Sequence, residues 1–266
     1  SNNIYTAIFT GLTSAALLSN YQMIMNLMNG IISSIFTSIT SSIGNAIFTD
    51  DEKADNSYKI FRIILIINCF LVSVCSVGFI VTSNALISFW IGDKYILPLM
   101  TVIMLGAYFY FTSTRLAVGQ FLNASGICYE DRYIPLIEAA VNIVFCLLLG
   151  SKYGMIGVIA GNLISTLAIV YWQKPWLLFK YVLKRSPLPY FRDISLYVIA
   201  TIISLALSML TSKAVNIQNE VLFFVVMGFA SVLFTTGVFF IMFFKTQPFK
   251  DSITLMLNLK KHTQKN

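Results

Sequence analysis

No residue from 63 to 92 is charged. That stretch, rich in Ile, Leu, Val and Phe, is longer than the roughly 20 apolar residues an α-helix needs to cross a hydrocarbon core about 30 Å thick. Similar runs recur along the chain, far too often for a single anchor. They also outlast the roughly 10-residue alternating strands of an outer-membrane barrel. Charged residues make up only 11% of the chain, where soluble domains carry about 25%. The sequence cannot cover a water-facing surface, and it predicts an all-α fold, a polytopic transmembrane helical bundle.

Polar punctuation divides the chain into eight expected spans. The first, 2–18, ends at a polar gap, Ser19-Asn20-Tyr21, whose tyrosine suits a membrane interface. The second, 22–48, is rich in Ser, Thr, Asn and Gly. Small residues allow close helix approach and hydroxyls or amides can face a wet cavity, so this helix is expected inside the bundle. A hydrophilic loop with Asp50, Asp51, Glu52, Lys53 and Asp55 precedes the third span, 61–91, which carries Asn68. The fourth, 97–124, opens on Pro98, tolerated where a helix lacks N–H partners anyway. A charged turn leads to the fifth span, 133–150, and Lys152-Tyr153-Gly154 reverses the chain into the sixth, 155–173. Residues 174–192 alternate Lys174, Lys180, Lys184 and Arg185 with Trp176, Phe179 and Tyr181, a pattern expected to lie along a membrane face. Two more spans, 193–212 and 220–244, precede a basic tail, 245–266. The chain has no initial Met and no charged region before its first apolar run, so residues 1–18 read as the interior of a helix in a longer protein, not a signal peptide.

Charge placement gives an orientation. Lys53, Lys59, Arg62, Arg132, the basic residues of 174–193 and those of the tail all fall on one side of the alternating spans. Only Lys94, Lys152 and Lys213 fall on the other. By the positive-inside rule the richer side, with the C-terminus, is cytoplasmic. The +7 net charge then reports topology, and no nucleic-acid partner is expected. Cys69, Cys75, Cys128 and Cys146 have no CxxC spacing, and the one histidine is His262 near the tail. The cysteines read as small packing residues and no Cys/His metal site is expected. With no Walker-type loop, HExxH or nucleophile arrangement in the sequence, no cofactor and no enzymatic centre are expected.

Two ionisable residues lie inside apolar spans: Arg115 in the fourth and Glu138 in the fifth. An arginine at mid-helix in a bilayer costs about 2.5–3.5 kcal/mol on insertion scales, so it needs a partner, a water-filled cavity or a task. At about 1.5 Å rise per residue, Arg115 stands roughly 14 Å above Ala124, and Glu138 roughly 9 Å above Arg132. On antiparallel neighbours joined by a short turn, the two side chains can meet. Arg115 is then either a buried lock between helices or a cavity cation for an anionic substrate, its planar fork matching phosphate oxygens. Gln120, Asn123 and Asn142, with Asn162, are candidates to line the same cavity and bond sugar hydroxyls.

The segment FLNASGICYEDRYIPLIEAAVNIVFCLLLGSKYGMIGVIAGNLISTL, followed by WQKPWLLFKYVLKRSPLPYF, resembles the C-terminal half of bacterial polysaccharide-biosynthesis flippases. These are members of the superfamily of multidrug, oligosaccharidyl-lipid and polysaccharide exporters. The Asn-Ala-Ser-Gly helix end, the Glu-Asp-Arg-Tyr turn, the Glu-Ala-Ala-Val-Asn segment and the small-residue run KYGMIGVIAGNLIS carry the resemblance. It implies a fourteen-helix exporter fold, with 1–173 as the C-terminal six-helix lobe, 174–192 as a cytoplasmic interfacial segment and 193–244 as two added helices. It further implies a bacterial plasma-membrane location, the N-terminal lobe of the same protein as a partner, and an undecaprenyl-pyrophosphate-linked oligosaccharide moved from the inner to the outer leaflet. A cation-coupled multidrug exporter of the same fold is the alternative, with Glu138 as its coupling carboxylate. A glycosyltransferase acting on the lipid carrier would bring a sizeable outward loop, and the outward loops here are a handful of residues each.

The orientation has a direct check. A single cysteine introduced within 174–193 is expected to react with an impermeant thiol reagent from the cytoplasmic side only; labelling from outside would reverse every span.

Overall fold

The structure, a computed structural model, describes residues 2–48, 53–126, 132–215, 217–252 and 254. Among them it is all-helical. The elements are α1 (Asn2–Thr10), α2 (Leu12–Phe48), α3 (Lys53–Ile91), α4 (Leu99–Thr114), α5 (Leu116–Ala124), α6 (Ile134–Ser165), α7 (Tyr171–Leu177), α8 (Leu188–Ala214) and α9 (Glu220–Phe243). Wider π-helical turns, Thr166–Val170 and Leu178–Leu183, flank α7. Four helical stretches, Asn56–Ile91, Ile134–Leu183, Leu188–Ala214 and Glu220–Phe243, are long and apolar enough to cross a membrane. The chain is a helical membrane protein.

α3 is the central pillar. Of its apolar stretch 61% is buried inside the protein, against 17%, 28% and 22% for the other three. A helix apolar all round belongs in such a position. Phe61, Leu65, Cys69 and Val72 meet Phe109, Phe121, Phe179 and Tyr197 from four neighbouring elements in one continuous core. The outer helices turn Leu136, Leu148, Ile202, Leu210, Phe229, Leu233 and Ile241 outward, as a lipid-facing surface requires.

Because lipid is as apolar as leucine, helix association in a bilayer relies on close packing and interhelical hydrogen bonds. Both are present around α3. Ser76 Oγ donates to Gly106 O at 2.9 Å, joining α3 to α4, and Ser73 Oγ meets Thr201 Oγ1 at 2.7 Å, joining α3 to α8. A Cβ on Gly106 would lie 2.3 Å from Ile80 Cγ1, so the glycine sets how near α4 comes.

The expected reversal at Gly154 is present, and it defines α6. Gly154 takes φ 60°, ψ −134°, a conformation open to glycine, and the chain folds back there. Cys146 faces Val158, and Asn142 faces Asn162 and Ser165 across the two arms. The arms nearly touch by their backbones: a Cβ on Gly157 would lie 2.0 Å from Leu149 O, and one on Gly161 2.7 Å from Cys146 N. The second arm continues through the π turns to Leu183.

Elsewhere the boundaries move. The polar gap expected at Ser19-Asn20-Tyr21 lies inside α2, and the first break falls earlier, at Gly11 with φ 87°. Tyr21 is fully buried, not interfacial. Its hydroxyl donates to Asn84 Oδ1 at 2.5 Å and accepts from Leu97 N at 3.0 Å, while Asn84 Nδ2 donates to Leu97 O at 3.2 Å. The expected hydrophilic loop is helical from Lys53, and residues 49–52 lie outside the described residues. The expected span 97–124 is interrupted at Arg115, which leaves α4 with 16 residues and α5 with 9. Residues 174–192 are not one surface element: helix runs to Leu183, with Leu177, Leu178, Phe179 and Leu183 in the core, and α8 begins at Leu188. Of the cysteines, Cys69 and Cys146 are buried and Cys75 half-buried, all free, as packing residues would be. Cys128 and the tail beyond residue 254 lie outside the described residues.

The backbone contact within α6 sets an expectation. Gly157→Ala should destabilise the protein by about 1–3 kcal/mol, because a carbonyl oxygen cannot give way as a side chain can. Gly237→Ala, where a Cβ meets nothing within 4 Å, should be neutral or slightly stabilising. Thermal unfolding of both variants in detergent measures the difference.

Candidate functional site: a polar cleft at a helix interruption

Helix α4 loses its regular bonding at Arg115, and α5 resumes one residue later. In hydrocarbon, backbone carbonyls released by such an interruption must find donors inside the protein. Asn68 of α3, fully buried, supplies them: its Nδ2 donates to Ser113 O at 3.2 Å and to Thr114 O at 2.9 Å. Next to it Ser113 Oγ donates to Asn29 Oδ1 of α2 at 2.5 Å. The interruption is thus held from two sides by amides.

Arg115 lies at this point and reaches α6. Its Nη1 donates to Glu138 Oε1 at 3.3 Å, and Thr166 Oγ1 donates to the same oxygen at 3.2 Å. Thr166 is the first residue of the π turn that widens the helix, and such turns commonly accompany functional positions. The side chains of Arg115 and Glu138 are 31% and 24% exposed. The pair is therefore half-buried and joined by one contact instead of a bidentate fork, a geometry an incoming anion can exchange. Beyond Glu138, Asn142 Nδ2 donates to Asn162 Oδ1 at 2.8 Å and to Ser165 Oγ at 3.0 Å, continuing the polar strip along the hairpin.

Two clefts open on this strip. The larger, about 560 Å³, is lined by Asn29, Gly30, Ser33, Thr112, Ser113, Arg115, Leu116, Gly119, Pro135, Glu138 and Lys174. The smaller, about 330 Å³, is lined by Tyr5, Tyr108, Pro135, Glu138, Ala139, Asn142, Ile143, Asn162 and Thr166. Glu138 and Pro135 border both. Thr112, which lines the larger cleft, has a buried hydroxyl without a hydrogen-bond partner among the described residues.

Of the residues expected at the site, the structure brings Arg115 and Glu138 together and sets Asn142 and Asn162 beside them. Gln120 and Asn123 line neither cleft. Asn123 is exposed at the end of α5, three helical positions past Gln120 and away from the strip. Lys174, expected at the membrane face, lines the larger cleft and gives it a second cation. Sequence reasoning also missed Asn29, Ser113 and Thr166. For Lys174 the sequence carries no separate signal, because its neighbours Trp172 and Trp176 suit a membrane face as well as a cleft. Among the described residues no group of histidine, cysteine or carboxylate side chains could hold a metal ion.

What the fold and cleft define is a helical membrane protein with a cation–carboxylate pair at a helix interruption, opening on a polar cleft. No family model, curated protein or solved structure matches the chain.

Asn68 is expected to hold the interruption. Asn68→Ala removes the side-chain donor from both carbonyls and leaves Ser113 O only the Arg115 N–H, which should cost about 1–3 kcal/mol in an apolar interior, measured as a loss of thermal stability in detergent. Stability unchanged from wild type would show that the interruption is held from α2 alone.

Proposed function

We propose that the chain forms the C-terminal half of a lipid-linked oligosaccharide flippase in a bacterial plasma membrane. The observation that carries this reading is the half-buried Arg115–Glu138 pair at a helix interruption, on the wall of a polar cleft about 560 Å³ in volume. Interrupted membrane helices with exposed polar groups are tolerated where they line a cavity, and transporters build substrate sites there. Arg115 and Lys174 supply positive charge for a pyrophosphate, while Asn29, Ser33 and Thr112 supply neutral groups of the kind that bond sugar hydroxyls. Glu138 holds Arg115 in place until an anion displaces it. Sugars and pyrophosphate cannot cross hydrocarbon unaided, whereas a prenyl tail can stay in lipid. A cleft that is polar inside and flanked by apolar helices suits that division. The N-terminal lobe of the exporter would close its far side, and the C-terminus would be cytoplasmic.

A second reading, a cation-coupled multidrug exporter, is favoured by one feature: Glu138 borders both clefts, as a coupling carboxylate would. The bonds it accepts from Arg115 and Thr166 weigh against it, because they already occupy the carboxylate oxygen that a coupling cation would take.

Complementation of a flippase-deficient strain by the full-length gene tests both. With membrane abundance matched, Arg115→Ala should abolish surface polysaccharide and accumulate lipid-linked repeat units inside, and Arg115→Lys should restore little, since an ammonium lacks the bidentate fork. Full activity of both variants would remove Arg115 from the substrate site. Loss of drug export in Glu138→Gln with normal surface polysaccharide would establish the second reading instead.

A further inference from the structure

The smaller of the two clefts beside Glu138 differs in chemistry from the larger, and the reading above leaves it without an occupant. Its polar and aromatic lining comes from four places: Tyr5 of α1, Tyr108 of α4, Glu138, Asn142 and Asn162 of the α6 hairpin, and Thr166 of the π turn. We infer that this cleft binds the sugar joined directly to the pyrophosphate. The inference deepens the flippase reading and rests on it.

Charge divides the two clefts. Arg115 lines the larger and not the smaller. Among the described residues lining the smaller there is no lysine or arginine, and Glu138 is the one carboxylate. That carboxylate is answered by Arg115, whose Nη1 donates to Oε1 at 3.3 Å. An anion is therefore drawn to the larger cleft, and the smaller suits a neutral group.

The lining offers such a group a mixture of open donors and acceptors. The hydroxyls of Tyr5 and Tyr108 make no hydrogen bond among the described residues, and neither ring stacks on another there. Glu138 Oε2 accepts none either, since both bonds to this carboxylate fall on Oε1. Asn162 Nδ2 spends one of its two hydrogens on Val158 O at 2.7 Å and keeps the other. Asn142 commits both amide hydrogens, to Asn162 Oδ1 and Ser165 Oγ, while its own Oδ1 meets only the weak Cys146 Sγ donor at 3.7 Å. Each hydroxyl of a sugar both donates and accepts, so it uses such a mixture fully. The C–H face of a sugar ring packs on an aromatic side chain, which tyrosine provides beside its polar tip. A wholly apolar ligand would leave these groups unpaired.

Position is the other argument. Pro135 and Glu138 border both clefts, so the two adjoin at the foot of α6. In a lipid-linked oligosaccharide the first sugar is bonded directly to the distal phosphate. With the pyrophosphate on Arg115, that sugar falls beside Glu138, where the smaller cleft begins. Its volume of about 330 Å³ lies within the roughly 300–1,000 Å³ of small-ligand pockets. An anion that takes Arg115 also releases Glu138 Oε1 to a sugar hydroxyl, so the two parts of the substrate are recognised together.

The test measures binding to the purified full-length protein in detergent. Two probes are used: lipid-linked repeat units extracted from the flippase-deficient strain, and undecaprenyl pyrophosphate without sugar. Wild type should bind the glycosylated lipid about tenfold more tightly than the bare carrier, the scale of one or two hydrogen bonds. Tyr5→Phe with Tyr108→Phe keeps both rings and should lower that preference several-fold. Tyr5→Ala with Tyr108→Ala should erase it. Neither pair should change binding of the bare carrier, which also reports that the variants are folded. If the alanine pair loses the bare carrier too, the phenylalanine pair decides, an unchanged preference overturning the proposal. A preference that persists in a folded alanine pair overturns it as well, and so does a wild type that binds both lipids equally. In those cases the flippase reading still stands if Arg115→Ala weakens both lipids. A wild type that binds neither lipid, or an Arg115→Ala variant unchanged toward both, removes that reading and the sugar site with it. Binding of tetraphenylphosphonium that the alanine pair loses, with no preference between the lipids, assigns the cleft to an organic cation instead.

Discussion

One buried amide, that of Asn68, lets this bundle contain an interrupted helix. A bilayer offers no water to carbonyls that lose their intrahelical donors, and each orphaned group costs several kcal/mol. By donating to both Ser113 O and Thr114 O, Asn68 removes that cost where the chain must depart from regular helix to place Arg115. The rest of the site follows. Arg115 reaches Glu138, Glu138 also takes a bond from Thr166, and the helix widens at Thr166. A polar strip is thereby threaded through three elements that are otherwise apolar, and each of its groups is held by another.

The surrounding architecture supplies rigidity by geometry more than by greasy contact. α3 is the most deeply buried of the membrane-length helices, and its hydroxyls tie it to α4 and α8. Close approach brings the Ile80 side chain onto Gly106 and the two arms of α6 into backbone contact, where dispersion is densest. The outer helices present bulky aliphatic and aromatic side chains to lipid and need few polar contacts.

The class of the fold was legible because composition leaves no alternative, and so was the pairing of Arg115 with Glu138, since helix rise fixes their heights. The reversal at Gly154 and the positions of α8 and α9 were legible to within a few residues, because polar punctuation and apolar length agree there. The polarity of α2 correctly pointed inward: Asn29 and Ser33 line the cleft. What escaped depended on partners distant in sequence. Ser19-Asn20-Tyr21 reads as a gap only until Asn84 and the amide of Leu97 are known to receive the tyrosine hydroxyl. Gly11 breaks a helix, whereas Gly30 lies within one, and nothing in the flanking residues separates them. The interruption at Arg115 is written in Asn68, on another helix. Lys174 was hidden by its setting, since a lysine beside tryptophan and tyrosine looks the same whether it meets headgroups or a cleft.

The doubled-back α6 has a consequence for how the chain enters a bilayer. Asn142 and Asn162 sit on opposite arms, and Asn142 donates its amide across to Asn162 Oδ1 while Asn162 donates its own to Val158 O. The first arm released alone into lipid would expose the amide of Asn142 without these acceptors, and would carry Glu138 as well. With a glycine at the bend and glycines where the arms touch, the hairpin can close as soon as both arms have been made. Partition into the membrane then favours the pair over the single helix, so that an amide unwelcome in hydrocarbon enters it already satisfied.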